Sequence, residues 1–214
     1  MSETIAMVLA GGQGSRLSIL SEHRAKPAVP FGSNYRIIDF VLSNIMHSGI
    51  PYAGILTQYK PYSLMAHIGS GESWGFTSRQ SVLKILPPYR GTTAGDWYAG
   101  TADAICQNLS FISRFDVDMV LVLSGDHIYN MNYSDLVEFH KRHKADVTIA
   151  TQPVPWEETA RFGVLKSDKS GRIEGFQEKP KSDPISNQAN LGIYVFRRAF
   201  LEERLREDAQ DPAS

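Results

Sequence analysis

A glycine-rich segment follows a short apolar run near the start of the chain. The run at residues 5–9 has the composition of a buried strand, and residues 9–17 read LAGGQGSRL. Glycines at such a turn let backbone N–H groups point at one phosphate, and a guanidinium adds a forked donor for its oxygens. The groups that would do this are Gly11, Gly12, Gly14 and Arg16. A tight turn that binds nothing is the alternative for the glycines alone.

Asp126 follows another apolar run, at residues 119–123, after Ser124 and Gly125. Its carboxylate is predicted at the carboxyl end of a strand, where it could hold Mg²⁺ against phosphate groups. A turn aspartate without a ligand is the alternative interpretation. We interpret the neighbouring His127 as structural, because Mg²⁺ prefers oxygen ligands.

Among the lysines that stand directly before a proline, two are candidates for binding phosphate. Lys179 lies between Glu178 and Pro180, and the proline is expected to hold Lys179 extended at the tip of a strand. Lys26 has a similar setting before Pro27. A fixed ammonium can bind a phosphorylated sugar, and a solvated surface lysine is the alternative for each of the two.

A loop at residues 96–104, DWYAGTADA, leads into a predicted helix. Trp97 and Tyr98 could pack against a base or a sugar, and core packing would explain either of them equally well. Asp103 only accepts hydrogen bonds when ionised, so it could accept the exocyclic amine of adenine and would repel the oxygen edge of uracil or thymine. Guanine also presents donors and is not excluded.

The elements that must position these residues alternate along the chain. Apolar runs of strand length are separated by helix-like stretches, which predicts an α/β fold with a mixed, mostly parallel, Rossmann-like sheet. Ligands are then expected at the carboxyl ends of the parallel strands. The predicted strands of this sheet are residues 5–9, 53–56, 119–123, 147–150 and 193–196.

Helices are predicted between and after these strands. Residues 101–114 and 133–144 carry apolar side chains at helical spacing, with Thr101 as a helix N-cap, and residues 198–208 form a last helix. Beyond residue 152, the short strands 163–166 and 172–177 flank a turn and predict an antiparallel hairpin.

The composition limits the classes of partner. A formal net charge of -1 gives no broad basic field for nucleic acid, so polyanion binding would be local. The single cysteine, Cys106, cannot form an internal disulfide, and no apolar run is long enough to cross a bilayer. We therefore expect a cytoplasmic protein without nucleic-acid or membrane partners.

The motifs of this chain and their order resemble those of the glucose-1-phosphate adenylyltransferase family. The resemblance implies transfer of an adenylyl group from ATP to glucose 1-phosphate with Mg²⁺, giving ADP-glucose and pyrophosphate for glycogen biosynthesis. The motifs that carry it are LAGGQGSRL at 9–17, RAKPAVPFG at 24–32, YRIIDFVLSN at 35–44, WYAGTADA at 97–104, SGDHIY at 124–129, RFGV at 161–164, EKP at 178–180 and GIYVF at 192–196.

The resemblance also implies roles for individual residues. Catalysis would rest on Arg16, Asp126 and Lys179, with Asp126 holding the metal. ATP would be bound by Leu9, Gly11, Gly12, Gly14, Arg16 and Asp103. Glucose 1-phosphate would be bound by Tyr98, Gly163, Glu178, Lys179 and Asn190, where Asn190 replaces a serine that is common in the family. Gln58 and Trp97 match positions linked to communication between regulatory and substrate sites, and Lys26 matches either an activator site or a phosphate contact.

Residues 1–214 are expected to form one nucleotidyltransferase catalytic domain that is incomplete at its C-terminal end. In the family this domain continues with a second metal-binding aspartate and a left-handed β-helix domain. The full-length family is expected to be homotetrameric, an expectation that does not extend to this chain.

Two alternatives to an active adenylyltransferase stay open. The first is a truncated, non-catalytic product that still binds a nucleotide or a sugar phosphate. The second is a nicotinamide-dependent oxidoreductase on a Rossmann sheet. An oxidoreductase of this kind is expected to have an acidic residue at the end of the second strand. Thr57 and Gln58 stand at that position instead.

Overall fold

The computed structural model describes residues 3–11, 24–78, 80–88 and 97–210. They divide into two compact units, of which the second consists of residues 148–194 and the first of the described residues on either side. In chain order the strands are β1 (Thr4–Leu9), β2 (Pro30–Phe31), β3 (Tyr35–Arg36), β4 (Tyr52–Leu56), β5 (Val82–Leu86), β6 (Met119–Ser124), β7 (Val147–Pro153), β8 (Gly163–Ser167), β9 (Ile173–Glu178) and β10 (Gln188–Arg197). The helices are α1 (Ile37–His47), α2 (Tyr62–Ile68), α3 (Thr101–Cys106), α4 (Leu109–Ile112), α5 (Tyr133–His143) and α6 (Arg198–Asp208).

Parallel strands form the centre of the first unit, in the order β5-β4-β1-β6. β1 and β6 are apolar almost throughout, and side chains such as Ile5, Val8 and Leu121 are fully buried. Strands buried on both faces are typical of parallel sheets covered by helices. The described strands confirm the predicted α/β class with a mixed, mostly parallel sheet.

Two helices of the first unit, α1 and α6, bury apolar residues at helical spacing. Ile38, Leu42 and Ile45 of α1 lie on one face at helical spacing and are fully buried. The predicted last helix is confirmed with the same bounds as α6, and its Leu201 and Leu205 are buried as the spacing requires.

The prediction of one helix over residues 101–114 was wrong. The segment forms α3 and α4 with a break at Asn108, and Gly100 rather than Thr101 is the N-cap of α3. The Asn108 amide donates to the carbonyl oxygen of Ala104 at 2.8 Å and to the hydroxyl of Tyr98 at 3.0 Å. A side chain that bonds to the preceding turn competes with the regular backbone ladder, which accounts for the break.

The second unit is antiparallel. β8 pairs with β9 and with β10, and β7 also pairs with β10. The predicted hairpin is therefore confirmed, with a turn in which Asp168 accepts hydrogen bonds from the backbone N–H groups of Ser170 and Arg172. β10 is longer than the predicted strand at 193–196.

β5 was not predicted, because its VLKIL sequence carries a charged residue and its side chains are mostly half-buried. Among the helices that the structure describes, none has the length and apolar character needed to cross a membrane.

Candidate active site

A cavity of about 370 Å³ lies at the carboxyl ends of β1, β4 and β6. The strand register aligns Leu9 with both Leu56 and Ser124, so the three strands end side by side. Further backbone bonds extend this alignment, from Ala10 N to Leu56 O at 2.8 Å and from Gly125 N to Leu9 O at 2.9 Å. The sheet thus brings the residues that follow each strand to one place. Of the predicted site residues, the cavity is lined by Leu9, Gly11, Lys26, Gln58, Tyr98 and Asp126.

Lys26 and Asp126 form an ion pair in this cavity although they lie 100 residues apart in sequence. Lys26 Nζ is 2.6 Å from Asp126 Oδ2, and the two side chains are 30% and 29% exposed. The Ser124 hydroxyl donates to the other carboxylate oxygen, and His127 Nε2 lies 3.5 Å from that same oxygen. Lys26 begins a short 3-10 helix, Lys26–Ala28, whose buried Pro27 fixes its backbone.

Asp126 keeps its negative charge in this partly buried position. Burial by itself would raise the pKa of the carboxyl, but hydrogen bonds from Lys26 and Ser124 and the charges of Lys26 and His127 hold that pKa below its ordinary value. An ionised carboxylate beside a hydroxyl offers the hard oxygen ligands that Mg²⁺ prefers.

Asp126 fits a magnesium site that is completed by substrate. Across the described ranges, no three side chains of His, Cys, Asp or Glu come together as a ready-made metal cluster. Mg²⁺ is often bound by one or two protein carboxylates, with phosphate oxygens and water filling the remaining positions. The residues present therefore fit Mg²⁺ held by Asp126 against a bound phosphate.

Gln58 connects the glycine segment to the loop that contains Tyr98. Its side-chain oxygen accepts a hydrogen bond from the backbone N–H of Tyr98 at 3.1 Å, and its amide nitrogen donates to the Tyr98 carbonyl at 3.4 Å. On the other side, a Cβ placed on Gly11 would stand 3.3 Å from the Cβ of Gln58. The Gln58 side chain thus bonds to Tyr98 and lies close to Gly11, and all three residues line the cavity.

Trp97 and Tyr98 are neighbours with different environments. Tyr98 is buried, and its hydroxyl donates to the carbonyl of Leu86 at 3.2 Å while accepting from Asn108. Burial raises the pKa of the Tyr98 hydroxyl, so it stays protonated. Trp97 is 55% exposed and is not among the described residues that line the cavity. The Tyr98 hydroxyl is thus already engaged within the protein, and contact of Tyr98 with a sugar phosphate stays a prediction.

Asp103 stabilises the start of α3. Its Oδ2 accepts hydrogen bonds from the backbone N–H of Ala99 at 2.8 Å and from the Gln107 amide at 2.9 Å. Ala99 precedes α3 and Gln107 follows it, so these two bonds give Asp103 a structural role at this helix. The predicted contact with adenine would have to use Oδ1 or replace these bonds, and it stays a prediction.

In the second unit, the strands bring together three residues predicted to bind the sugar phosphate. Gly163 of β8 pairs with Glu178 of β9. Asn190 of β10 follows Ala189, which pairs with Val164, and this places Asn190 beside Gly163 along the antiparallel ladder. A Cβ on Gly163 would stand 2.9 Å from Oε2 of Glu178 and 2.8 Å from Cε2 of Phe176. The absence of a side chain at Gly163 leaves room for both groups.

Lys179 does not have the extended backbone that was predicted from Pro180. Its φ is 42°, in the left-handed region that residues other than glycine rarely adopt. A hydrogen bond from Lys179 N to Phe162 O, at 3.1 Å, holds this conformation. Lys179 Nζ lies 2.9 Å from Oε1 of Glu178, and both side chains are more than half exposed. Backbone strain of this kind is concentrated at functional sites.

The Asn190 side chain also has partners within the second unit. Its Nδ2 donates to the hydroxyl of Tyr194 at 2.7 Å, and its Oδ1 accepts from the backbone N–H of Gly192 at 2.9 Å. An amide retains a second N–H and a second lone pair. Binding of a sugar hydroxyl by Asn190 is therefore chemically available and stays a prediction.

Some site residues were not predicted, and some predictions are not tested. Gly12, Gly14 and Arg16 lie outside the described residues. Sequence reasoning did not single out Ser124, which bonds to Asp126, or Phe176, which lies near Gly163 beside Glu178, although each precedes a predicted site residue by two positions. In an extended strand that spacing puts two side chains on the same face, which is a signal that sequence reasoning could have used for Phe176 and Glu178.

The sequence profile of the nucleotidyl transferase family matches residues 5–214, and the chain belongs to this family. Nucleotidyl transferases generally use a divalent metal ion. Family membership argues against the oxidoreductase alternative, as does Gln58 at the position where that alternative requires an acid.

Several curated proteins are similar to the whole of this chain. The glucose-1-phosphate adenylyltransferase of Thermotoga maritima is 54% identical over 100% of this chain and 50% of its own length. That of Clostridium acetobutylicum is 54% identical over 99% of this chain and 56% of its own length. That of Clostridium perfringens strain SM101 is 52% identical over 99% of this chain and 54% of its own length. The chain thus spans about half the length of the curated relatives it matches.

Proposed function

We propose that the chain carries the substrate-binding residues of an adenylyltransferase that converts ATP and glucose 1-phosphate to ADP-glucose and pyrophosphate. The observation that carries the proposal is the Lys26–Asp126 pair, which lines the same cavity as Gly11 at the ends of three parallel strands. The names of the similar proteins support ATP and glucose 1-phosphate as the substrates.

The proposed reaction requires little covalent chemistry from the protein. A phosphate oxygen of the sugar ester attacks the α-phosphorus of ATP, a new P–O bond forms, and the bond to pyrophosphate breaks. The work of the protein is then to align the two phosphates and to offset the negative charge that develops on the leaving group. A fixed cation and a carboxylate that can hold a metal, the roles proposed for Lys26 and Asp126, suit that work.

Mg²⁺ is the proposed metal, with Asp126 as its protein ligand. When bound, it supplies positive charge that offsets the charge of the phosphate groups. Asp126 is suited to this role because its carboxyl is ionised and lies on the cavity surface.

Of the two roles that the sequence left open for Lys26, phosphate binding is the one we propose. The Lys26 ammonium faces the cavity, within 2.6 Å of the proposed metal ligand, so a phosphate held there would meet both groups.

For the sugar phosphate we propose Glu178, Lys179, Gly163 and Asn190. Glu178 can accept a hydrogen bond from a hydroxyl, and the Lys179 ammonium can bind the phosphate. Both side chains are exposed and held side by side at the end of β9.

For Gln58 we propose a coupling role. Gln58 bonds twice to the backbone of Tyr98 and lies close to Gly11, so a shift of Tyr98 would move Gln58 toward or away from the proposed phosphate site. We extend the same proposal to Trp97, which is adjacent to Tyr98 and has an exposed side chain.

The proposal is tested by pyrophosphate release from the purified chain. Release should require ATP, glucose 1-phosphate and Mg²⁺ together, and UTP in place of ATP should support little of it. A preparation of Asp126→Asn made in the same way excludes a contaminating enzyme. Release that persists in this variant, or that does not need glucose 1-phosphate, would contradict the proposal.

Binding without turnover is a second candidate. It is favoured by one observation: among the described residues that line the cavity, Asp126 is the only carboxylate. Calorimetry that shows binding of ATP, with no pyrophosphate formed at any concentration of the chain, would select this candidate.

We propose that the reaction belongs to glycogen biosynthesis and takes place in the cytoplasm. The homotetramer expected of full-length relatives stays a prediction.

A further inference from the structure

An exposed aromatic ring lies among the residues proposed to bind the sugar phosphate. Phe176 of β9 is 55% exposed, whereas its register partner Leu165 on β8 is buried. A large apolar side chain of this kind on a strand surface leaves apolar area in contact with water, and that area becomes favourable binding surface once a ligand covers it.

The ring is placed next to two groups that suit a sugar phosphate. Atoms Cε2 and Cζ of Phe176 and Oε2 of Glu178 all lie within 3 Å of the point where a Cβ of Gly163 would stand. The ring edge and the carboxylate are therefore direct neighbours above Gly163. The ammonium of Lys179, which is 2.9 Å from Glu178 Oε1, completes the group.

These three groups match the three chemical parts of a pyranose phosphate. The face of a pyranose ring presents C–H groups and is apolar, its rim carries hydroxyl groups, and the phosphate is an anion. Ligand sites commonly combine an aromatic surface with a few placed polar groups, because the aromatic surface supplies binding area and the polar groups fix the orientation.

We propose that Phe176 is a binding residue for the sugar. Its exposed ring packs against the C–H face of the pyranose, while Glu178 accepts a hydrogen bond from a hydroxyl and Lys179 binds the phosphate. This inference rests on the proposed function, and it adds to it a residue that selects a six-membered sugar ring rather than any phosphate ester.

The test is a set of three substitutions at Phe176 with two controls. Phe176→Ala removes the ring, Phe176→Leu keeps part of its apolar area, and Phe176→Tyr keeps the ring. Ile173→Ala on the same strand and Trp156→Ala elsewhere in the second unit also remove exposed apolar side chains, which are 40% and 57% exposed. Dissociation constants for glucose 1-phosphate and for ATP are measured by calorimetry, and thermal unfolding midpoints report on folding.

We expect Phe176→Ala to weaken the binding of glucose 1-phosphate about tenfold and to change the binding of ATP by less than about twofold. Phe176→Tyr should bind as the parent chain does, and Phe176→Leu should fall between the two. In saturation-transfer NMR, the ring C–H protons of the sugar should show a clear signal with the parent chain. With Phe176→Ala most of this signal should disappear.

Three results would overturn the inference. One is an unchanged affinity of Phe176→Ala for glucose 1-phosphate. Another is a loss of affinity in Phe176→Tyr as large as that in Phe176→Ala. The third is an equal loss in the Ile173→Ala control, which would indicate a general effect of the strand. If the parent chain itself fails to bind glucose 1-phosphate, the proposed function and this inference fail together. The parent chain could instead be active while the Phe176 variants bind glucose 1-phosphate as well as the two control variants do. In that case this inference alone fails.

Discussion

The two units hold their charged site residues in different ways. In the first unit, Lys26 and Asp126 come from distant positions and meet because three parallel strands end together beside a cavity. In the second unit, Glu178 and Lys179 are neighbours in sequence at the exposed end of one strand. The first arrangement depends on tertiary structure, and the second depends on local backbone conformation and on the space above one glycine.

The exposure of the two ion pairs shows what each contributes. The Lys26 and Asp126 side chains are 30% and 29% exposed, whereas those of Lys179 and Glu178 are 61% and 57% exposed. Pairs in water contribute little to stability because solvent screens them. The exposed pair, held on a strained backbone, is therefore better explained by ligand binding than by folding. From this comparison we predict that substitutions in the first unit affect the binding of the nucleotide and the metal. Substitutions in the second unit should affect the binding of the sugar phosphate.

The largest effect is expected for Asp126→Asn. This substitution removes the negative charge proposed to hold Mg²⁺, so pyrophosphate release should fall roughly 100-fold or more. The control is His143→Ala, since His143 is exposed and bonds only to the carbonyl of Phe139 among the contacts described. Comparable loss of activity in both variants would refute the role of Asp126.

Gly163→Ala should have the next largest effect. The added methyl group would clash with Phe176 and Glu178 at 2.8 and 2.9 Å, so both side chains must move. We expect the KM for glucose 1-phosphate to rise about tenfold with little change in the KM for ATP.

Gly175→Ala is the matched control for this prediction. Its Cβ would meet only the flexible end of Ile185, at 3.3 Å, and the KM should stay close to that of the parent chain. If the two alanine variants have the same KM for glucose 1-phosphate, the space above Gly163 has no special role.

Gln58→Ala tests the link between the two segments of the first unit. The substitution removes both hydrogen bonds to the Tyr98 backbone, a loss of about 1 kcal/mol for each bond. Hydrogen exchange at the Tyr98 amide should become faster, with a modest rise in the KM for ATP. An unchanged exchange rate would show that Gln58 does not hold the loop.

The smallest expected effect is a dependence of stability on pH that differs between the two units. His140 of α5 is buried, and its burial lowers the pKa of the imidazole below its ordinary value of 6.5. Asp146 acts against this shift and Arg197 adds to it. The unfolded state then binds more protons than the folded state, so stability present above pH 6.5 is lost as the pH falls.

Thermal unfolding at pH 7.5 and 5.5 measures this effect. The loss of stability on acidification should be smaller in His140→Gln than in the parent chain, and His143→Gln should behave as the parent does. Residues 148–194 contain no histidine, so hydrogen exchange in the second unit should respond less to acid. An equal response in both units would contradict this assignment.

The sequence predicted the elements more completely than it predicted the contacts between them. Runs of apolar residues were enough for the strands β1, β4 and β6, and helical spacing was enough for α5 and α6. The break at Asn108 was not predicted from helical spacing, because spacing does not show that the Asn108 amide bonds to the carbonyl of Ala104 in the preceding turn.

The same limit applies to the site. Asp126 could be placed at the end of a strand, since its position follows from the apolar run before it. Its pairing with Lys26 could not be predicted, because nothing within either local sequence indicates which strands are neighbours. The backbone of Lys179 was predicted wrongly because a tertiary hydrogen bond to Phe162 outweighs the local preference set by Pro180.

The most direct test of the account compares Lys26→Met with Lys179→Met by calorimetry with each substrate. We expect Lys26→Met to weaken the binding of ATP and to leave that of glucose 1-phosphate nearly unchanged, and we expect the opposite pattern for Lys179→Met. If both variants weaken the same ligand, or if neither changes either affinity, the assignment of the two charged pairs to two substrates is wrong.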